Sequence, residues 1–310
     1  MRAALLHGPG DLRVEDVPKP EPGPGDVLVQ IEVALTDGTD LKTYRRGHPL
    51  LARSLPAPFG HEWCGIVDGR RVVAANSAPC GTCPGCAAGE QCRELEFLAG
   101  AYADWLLVPE RIAAVNLHSV PAGLAPEVAA LTEPLACCLR GVERSGLAAG
   151  DSVAILGAGP IALMLAACIA DAGAKPVIVG GRRERQALVP AFGGEVGDGR
   201  GADVVIEAAG GERAWADAVE LVRPGGTVLL FGGLARDAHP PVDAYRLHYD
   251  ELTLRGSFRH TPATVRAALG FLASGARPWE KLVTHRVLLD DLPALFADPP
   301  RDLLKAAVVP

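Results

Sequence analysis

The 310-residue sequence lacks any apolar run near the ~20 residues needed to span a bilayer, so no membrane-embedded segment is expected. It also lacks a surplus of basic charge. With 30 Lys and Arg against 37 Asp and Glu the net charge is −7, which argues against a nucleic-acid partner. Nothing at the N-terminus resembles a secretory leader, because Met1-Arg-Ala-Ala-Leu-Leu-His7 runs at once into Gly8-Pro-Gly10. That absence predicts a reducing, cytoplasmic setting in which disulfides are disfavoured. Internal repeats and low-complexity tails are missing too. What remains is a chain with 49% hydrophobic residues, longer than one usual domain, from which two domains with substantial cores are expected.

The cysteines are distributed unevenly. Four of the eight fall in one short stretch, Cys80-Gly-Thr-Cys83-Pro-Gly-Cys86-Ala-Ala-Gly-Glu-Gln-Cys92. Thiolates at this spacing on a Gly- and Pro-rich loop can converge on one ion, and four of them close a tetrahedral Zn2+ site with no open position. Such a site is structural. A pair of disulfides is the competing arrangement, and the reducing setting weighs against it. Cys64, Cys137, Cys138 and Cys168 are scattered and read as small buried hydrophobes.

The first half is rich in strands, Gly and Pro. Val27–Leu35, Arg71–Ala75 and Ala103–Val108 carry β-branched or alternating patterns. From Pro126 the pattern changes, and one long helix is expected over Pro126–Gly146. Strands and helices then alternate: Ser152–Leu156, Pro160–Ala172, Val177–Val179, Glu184–Phe192, Asp203–Ile206, Arg213–Val222 and Thr227–Phe231, with a further strand in Glu251–Ser257. This alternation predicts an α/β fold with a doubly wound parallel sheet covered by helices on both faces. The last segment, Thr261–Val309, can return to the first domain.

Ser152-Val-Ala-Ile-Leu-Gly157-Ala-Gly159-Pro160-Ile161-Ala162 is an apolar strand running through G-x-G-x-x-A into a helix. Gly157 suits a tight turn, Gly159 lets a pyrophosphate approach the backbone, and Ala162 permits close helix–strand contact. The phosphates would meet free N–H groups at the start of the Pro160 helix, beside Ile161. The next strand ends at Gly180, where an NAD site would place an acidic residue against the ribose hydroxyls. Gly181, Arg182 and Arg183 follow. Without a carboxylate there is no repulsion of a 2′-phosphate, and an arginine fork can bind one, so NADP(H) is expected over NAD(H). A solvated helix start is the plainer account of the arginines, yet cations there oppose the helix dipole and invite an anion.

Three further motifs complete the pattern: Thr36-Asp37-Gly38-Thr39-Asp40-Leu41-Lys42, Gly60-His61-Glu62 and Thr132-Glu133-Pro134-Leu135. Together with the cysteine lobe and the glycine turn, in this order, they resemble the zinc-dependent medium-chain dehydrogenase/reductases over essentially the whole chain. The resemblance implies a β-rich GroES-like catalytic domain, 1–130 plus 262–310, that carries the lobe 80–92, with a Rossmann domain, 131–261, inserted in it. It implies a catalytic zinc on Asp37, His61 and Glu133 and a structural zinc on Cys80, Cys83, Cys86 and Cys92. Glu62 would ligate the metal or exchange with its water, Asp40 would bond the ligand histidine, Thr39 would pass the alcohol proton, and Lys42 stands at a relay position. Three departures accompany the likeness. Asp37 replaces the usual cysteine, the Asp68–Arg71 turn is trimmed, and the fourth lobe cysteine comes two residues early, leaving Glu94 at its usual place.

The implied activity is reversible hydride transfer between NADP(H) and a small-molecule alcohol or aldehyde, with a polyol or sugar favoured by Glu133 and by the hydroxyl-binding candidates Glu62 and Arg46. A homodimer or homotetramer is implied as well. The rivals are a zinc-free quinone or enoyl reductase of the same superfamily, which would lack the cysteine lobe and the His61-Glu62 pair, and a non-catalytic NADPH-binding protein. A decommissioned metal site would leave Asp37 as a turn residue.

Overall fold

The computed structural model describes residues 1–47 and 54–310, and the chain divides into one unit of Met1–Glu133 with Thr261–Pro310 and a second of Pro134–His260. The first unit is built on a seven-stranded sheet. Its main path runs Leu117–Ser119, Arg70–Ala74, Glu62–Val67, Val27–Leu35, Lys305–Val309 and Val283–Leu288, with Trp105–Val108 also paired to Val27–Leu35. Val27–Leu35 takes the centre because Val29, Ile31, Val33, Ala34 and Leu35 are all buried, leaving almost no solvent-facing side. A β-rich core packs on the sheet, with Leu6, Phe59, Trp63, Tyr102, Ile112 and Phe296 at its heart.

Register places chemistry at one end of this sheet. Leu35 pairs with Glu62 on one side and with Ala307 on the other. The segment after Leu35, the start of the Glu62 strand and Lys305 are therefore neighbours, although 243 residues separate Glu62 from Lys305 in sequence. The chain leaves Leu35 through Thr36 and enters the helix Gly38–Arg46 at Asp37, whose side chain accepts a hydrogen bond from the Asp40 N–H and caps the helix.

The second unit is a six-stranded parallel sheet in the order Glu195–Val196, Lys175–Val179, Ser152–Leu156, Ala202–Glu207, Val222–Leu230 and Thr253–Gly256. Ser152–Leu156 sits where the strand order reverses, the place where a parallel sheet opens a crevice at its carboxyl ends. The helix Pro160–Asp171 follows it and buries every residue from Ala162 to Ile169, so it is apolar all round.

Two expected helices are divided. Pro126–Gly146 becomes Pro126–Ala129 and Thr132–Ser145. Pro134 has no N–H for the turn before it, and the Thr132 hydroxyl bonds the Ala129 carbonyl at 2.7 Å, so the helix restarts with proline in its first turn. The restart sets Glu133 at a helix N-terminus. Glu184–Phe192 likewise becomes Arg183–Gln186 and the 3₁₀ turn Val189–Phe192, divided before Pro190. Of the scattered cysteines, Cys64, Cys138 and Cys168 are buried and Cys137 is half-buried.

Candidate active site and metal lobe

Asp37, Asp40, His61, Glu62 and Glu133 meet at the end of the first unit's sheet. Potential ligand atoms of Asp37, Asp40 and His61 lie within 4.8 Å of one another, and so do those of His61, Glu62 and Glu133. His61 belongs to both groups, while Asp37 and Glu133 are not joined in one. The histidine is buried, with Nδ1 3.1 Å from Asp40 Oδ1 and Nε2 3.7 Å from Asp37 Oδ2. When Nδ1 carries the proton and donates to Asp40, Nε2 keeps a lone pair directed toward Asp37, the form in which an imidazole binds a metal.

Asp37 divides its carboxylate between two tasks. Oδ1 accepts from the Asp40 N–H at 2.6 Å, and Oδ2 faces the histidine. Thr39 and Lys42 lie three residues apart on the same helix, both half-buried and on adjoining turns.

Glu62 is fully buried, and both its oxygens accept from the Lys305 ammonium, at 2.6 and 2.7 Å. Lys305 is 1% exposed and also donates to the Thr36 carbonyl at 3.3 Å. Thr36 in turn receives the Ala306 N–H on its hydroxyl at 2.8 Å. Sequence reasoning missed Lys305. The available signal was a lysine inside the apolar run Leu303-Leu-Lys-Ala-Ala-Val-Val309, which a buried strand admits only with a partner.

The electrostatics of the site favour a cation. Burial pushes the Glu62 carboxyl up to about 8, and the Lys305 ammonium opposes that rise. Burial works against a protonated His61, but Asp37, Asp40 and Glu133 outweigh it and hold its pKa well above the ordinary value. Asp40 is raised by burial and by Asp37. These carboxylates, with a histidine nitrogen among them, form an oxygen-rich and nitrogen-containing donor set that suits Zn2+. The residues fit the metal that the sequence implied.

The four lobe thiols converge as well. Sγ–Sγ separations are 3.6 Å for Cys83–Cys86 and Cys80–Cys92, and 3.9 Å for Cys80–Cys86 and Cys83–Cys92. All are free cysteines, too far apart for disulfides. Four sulfurs about 2.3 Å from one zinc would stand roughly 3.8 Å apart, which these distances match. Backbone N–H groups aim at the sulfurs, from Cys83 to Cys80 Sγ and from Glu94 to Cys92 Sγ, each at 3.3 Å. N–H donors from Thr82 and Cys83 hold the Cys80 thiol down to about 6, as thiolate ligation requires. Glu94 thus meets the lobe through its backbone.

In the second unit the glycine turn takes the expected shape. Gly157 has φ +112°, and Gly159 caps the Pro160–Asp171 helix with no side-chain hydrogen bond, leaving its first N–H groups open. A Cβ on Gly181, where φ is +87°, would lie 2.3 Å from the Ala158 Cβ, so the loop after Lys175–Val179 closes tightly on the turn. Gly180, Gly181, Arg182 and Arg183 are exposed on that loop, with Arg182 at the cap of Arg183–Gln186. Ile161 is half-buried and Ala162 buried.

Residues 23–121 match the family described as the alcohol dehydrogenase GroES-like domain, and residues 160–274 match the one described as zinc-binding dehydrogenase. A "probable zinc-binding alcohol dehydrogenase" of Mycobacterium tuberculosis is 32% identical, over 94% of this chain and 83% of its own length. A sorbitol dehydrogenase of Halalkalibacterium halodurans is 28% identical over 92% of this chain and 91% of its own. A Sinorhizobium meliloti chain assigned to the zinc-binding dehydrogenases and solved bound to NADP superposes with a TM-score of 0.89. It is 31% identical, covering 100% of this chain and 99% of its own. The chain belongs to the zinc-dependent medium-chain alcohol dehydrogenase family. It is an NAD(P)-dependent oxidoreductase of small-molecule alcohols, and among the described residues no helix is long and apolar enough to cross a membrane.

Proposed function

We propose that the protein is a cytoplasmic, oligomeric dehydrogenase of a polyol or sugar that prefers NADP(H), with a catalytic zinc held by Asp37, His61 and Glu133. Cys80, Cys83, Cys86 and Cys92 would hold a second, structural zinc. In this reading the unit of Met1–Glu133 and Thr261–Pro310 is the catalytic domain and Pro134–His260 the dinucleotide domain. The observation that carries it is the placement of His61. Its Nδ1 is committed to Asp40, and it shares one acidic cluster with Asp37 and another with Glu62 and Glu133. The relatives point to the substrate class, since sorbitol dehydrogenase and the erythritol/L-threitol dehydrogenase of Mycolicibacterium smegmatis both align over 92% or more of the chain.

When bound, zinc supplies Lewis acidity toward a substrate hydroxyl oxygen and NADP+ supplies the hydride acceptor. The chain's own residues supply the rest. The Thr39 hydroxyl can accept and donate a proton at once, so it would carry the alcohol proton outward to water, which the Lys42 ammonium on the next turn would orient as a donor. Asp40 fixes the His61 tautomer. Lys305 holds both oxygens of the buried Glu62 and opposes the rise that burial gives its pKa, beside the proposed metal ligands. Gly159 and the open helix N-terminus receive the pyrophosphate, and Arg182 and Arg183 receive the 2′-phosphate.

The test is metal content followed through a chelator titration. Two zinc ions per chain are expected, and the oxygen-rich site should empty before the four-thiolate lobe. Oxidation of polyols with NADP+ should then vanish while far-ultraviolet circular dichroism persists. One zinc per chain, or simultaneous loss of activity and fold, would refute the two-site reading.

A further inference from the structure

Tyr102 lies outside every motif that marks the site, yet its side chain joins the segments that carry them. It is 1% exposed. Its hydroxyl lies 3.0 Å from the Leu35 carbonyl, two residues before Asp37, and forms a very short hydrogen bond with Asp40 Oδ2. The other Asp40 oxygen is the one that bonds His61 Nδ1. The Tyr102 ring packs on Gly60, the residue before His61. There φ is +86° and a Cβ would stand 2.6 Å from the ring carbon Cδ2, so only glycine admits the ring. The Tyr102 N–H donates to the Phe59 carbonyl at 3.1 Å, and the Gly100 N–H donates to that of Gly60 at 2.9 Å. Phe59 meets the ring at a tilt and Phe296 meets it edge-on, at centroid separations of 5.7 and 6.4 Å.

We propose that Tyr102 is a positioning residue for the ligand histidine, which it acts on through Asp40. The inference rests on the reading of Asp37, His61 and Glu133 as the catalytic zinc site. Asp40 is buried, so without the phenol its Oδ2 has no water to turn to, and the carboxylate would rotate to find another donor. Rotation would take Oδ1 away from His61 Nδ1, and the imidazole would lose both its fixed tautomer and its ring orientation. A shell of this kind around ligand histidines typically governs metal affinity or activity by about 10–100-fold. The ring and the hydroxyl have separable duties: packing against Gly60, Phe59 and Phe296 belongs to the ring, and control of Asp40 belongs to the oxygen.

Tyr102→Phe removes only the oxygen. The experiment compares the full-length protein, Tyr102→Phe, Asp40→Asn and the double variant, each with Co2+ exchanged into the oxygen-rich site. The readouts are the visible Co2+ spectrum, the rate of metal loss to a chelator, kcat and KM, with NADP+ affinity and thermal midpoint as controls. Tyr102→Phe should alter the spectrum, speed metal loss by about tenfold or more, and lower kcat more than it raises KM, with NADP+ affinity unchanged. In the Asp40→Asn background it should add less than about threefold, because both changes break one chain of contacts. An unaltered spectrum and rate in Tyr102→Phe, or full additivity in the double variant, would overturn the proposal. Failure of the unmutated protein to take up a second metal ion would instead overturn the zinc-site reading, and the inference with it.

Discussion

Asp37 can be tested by separating its two oxygens. Oδ1 caps the helix Gly38–Arg46 and Oδ2 faces His61, so the side chain has a structural duty and a metal-binding duty that different substitutions remove in different combinations. Asparagine is also a good cap, so Asp37→Asn keeps the first duty and loses the charge needed for the second. Asp37→Cys keeps an anionic ligand as thiolate and loses the cap. Asp37→Ala loses both. Loss of the cap costs about 1 kcal/mol, or roughly 2–4 °C of thermal midpoint in a unit of this size, and should appear in metal-stripped Cys and Ala variants but not in Asn. Zinc at 100 times its dissociation constant adds about 2.7 kcal/mol to the unmutated protein, or roughly 5–11 °C. That increment should persist in the Cys variant and largely disappear in Asn and Ala. Differential scanning calorimetry of stripped and zinc-loaded protein, with zinc per chain and turnover measured alongside, gives all these quantities. Full zinc content and turnover in Asp37→Ala would refute the assignment and leave Asp37 as a cap alone.

Three other outcomes follow from the same reasoning. NADP+ should bind more tightly than NAD+, and Arg182→Ala should narrow the gap by about 1.5–3 kcal/mol, the worth of a charge-assisted phosphate contact; equal dissociation constants for the two dinucleotides in the unmutated protein would be the contrary result. Lys305→Met should destabilise the first unit by about 3–5 kcal/mol, because it leaves Glu62 buried without its cation, and Glu62→Gln in the same chain should recover much of that loss in a denaturant titration. Asp203 is held down to about 2, first by the Arg223 guanidinium and then by the Ser152 N–H and hydroxyl. A lowered carboxylate contributes stability that is present above its unfolded pKa of about 3.9 and is lost as pH falls toward 2, so Asp203→Asn should flatten the acid limb of stability between roughly pH 4 and 2.

What the sequence disclosed is what short stretches of chain control. The strand Ser152–Leu156, its glycine turn and the apolar helix after it are one local unit, and the four thiols lie on one short loop that Gly81 and Gly89 turn at positive φ and in which Pro84 starts a helical turn. His61, Glu62 and Asp37 could be named because each lies in a compact motif. Lys305 and Tyr102 could not. They reach the site through the pairing of Leu35 with Ala307 and through a ring laid on Gly60, and neither contact leaves a spacing that a linear reading can count. The long helix expected over Pro126–Gly146 went astray for the opposite reason. Its apolar periodicity continues across Pro134, and only the missing N–H divides it.

The pairing of Lys305 with Glu62 also orders the events of synthesis. Pro134–His260 is one continuous stretch, so it can close its parallel sheet as soon as it leaves the ribosome. The segment made before it cannot finish, because the strand Lys305–Val309, which flanks Val27–Leu35, has yet to be translated. Until then Glu62 has no ammonium and the sheet has an open edge beside the proposed metal ligands. At about 5–20 residues per second, the 243 residues between the partners take on the order of 10–50 s to make. For that interval the nascent chain carries an exposed strand edge and an acidic, half-built pocket, which is the window in which chaperones can shield it. On the zinc-site proposal, the oxygen-rich pocket would reach its final form for an ion only after the strand Lys305–Val309 has docked.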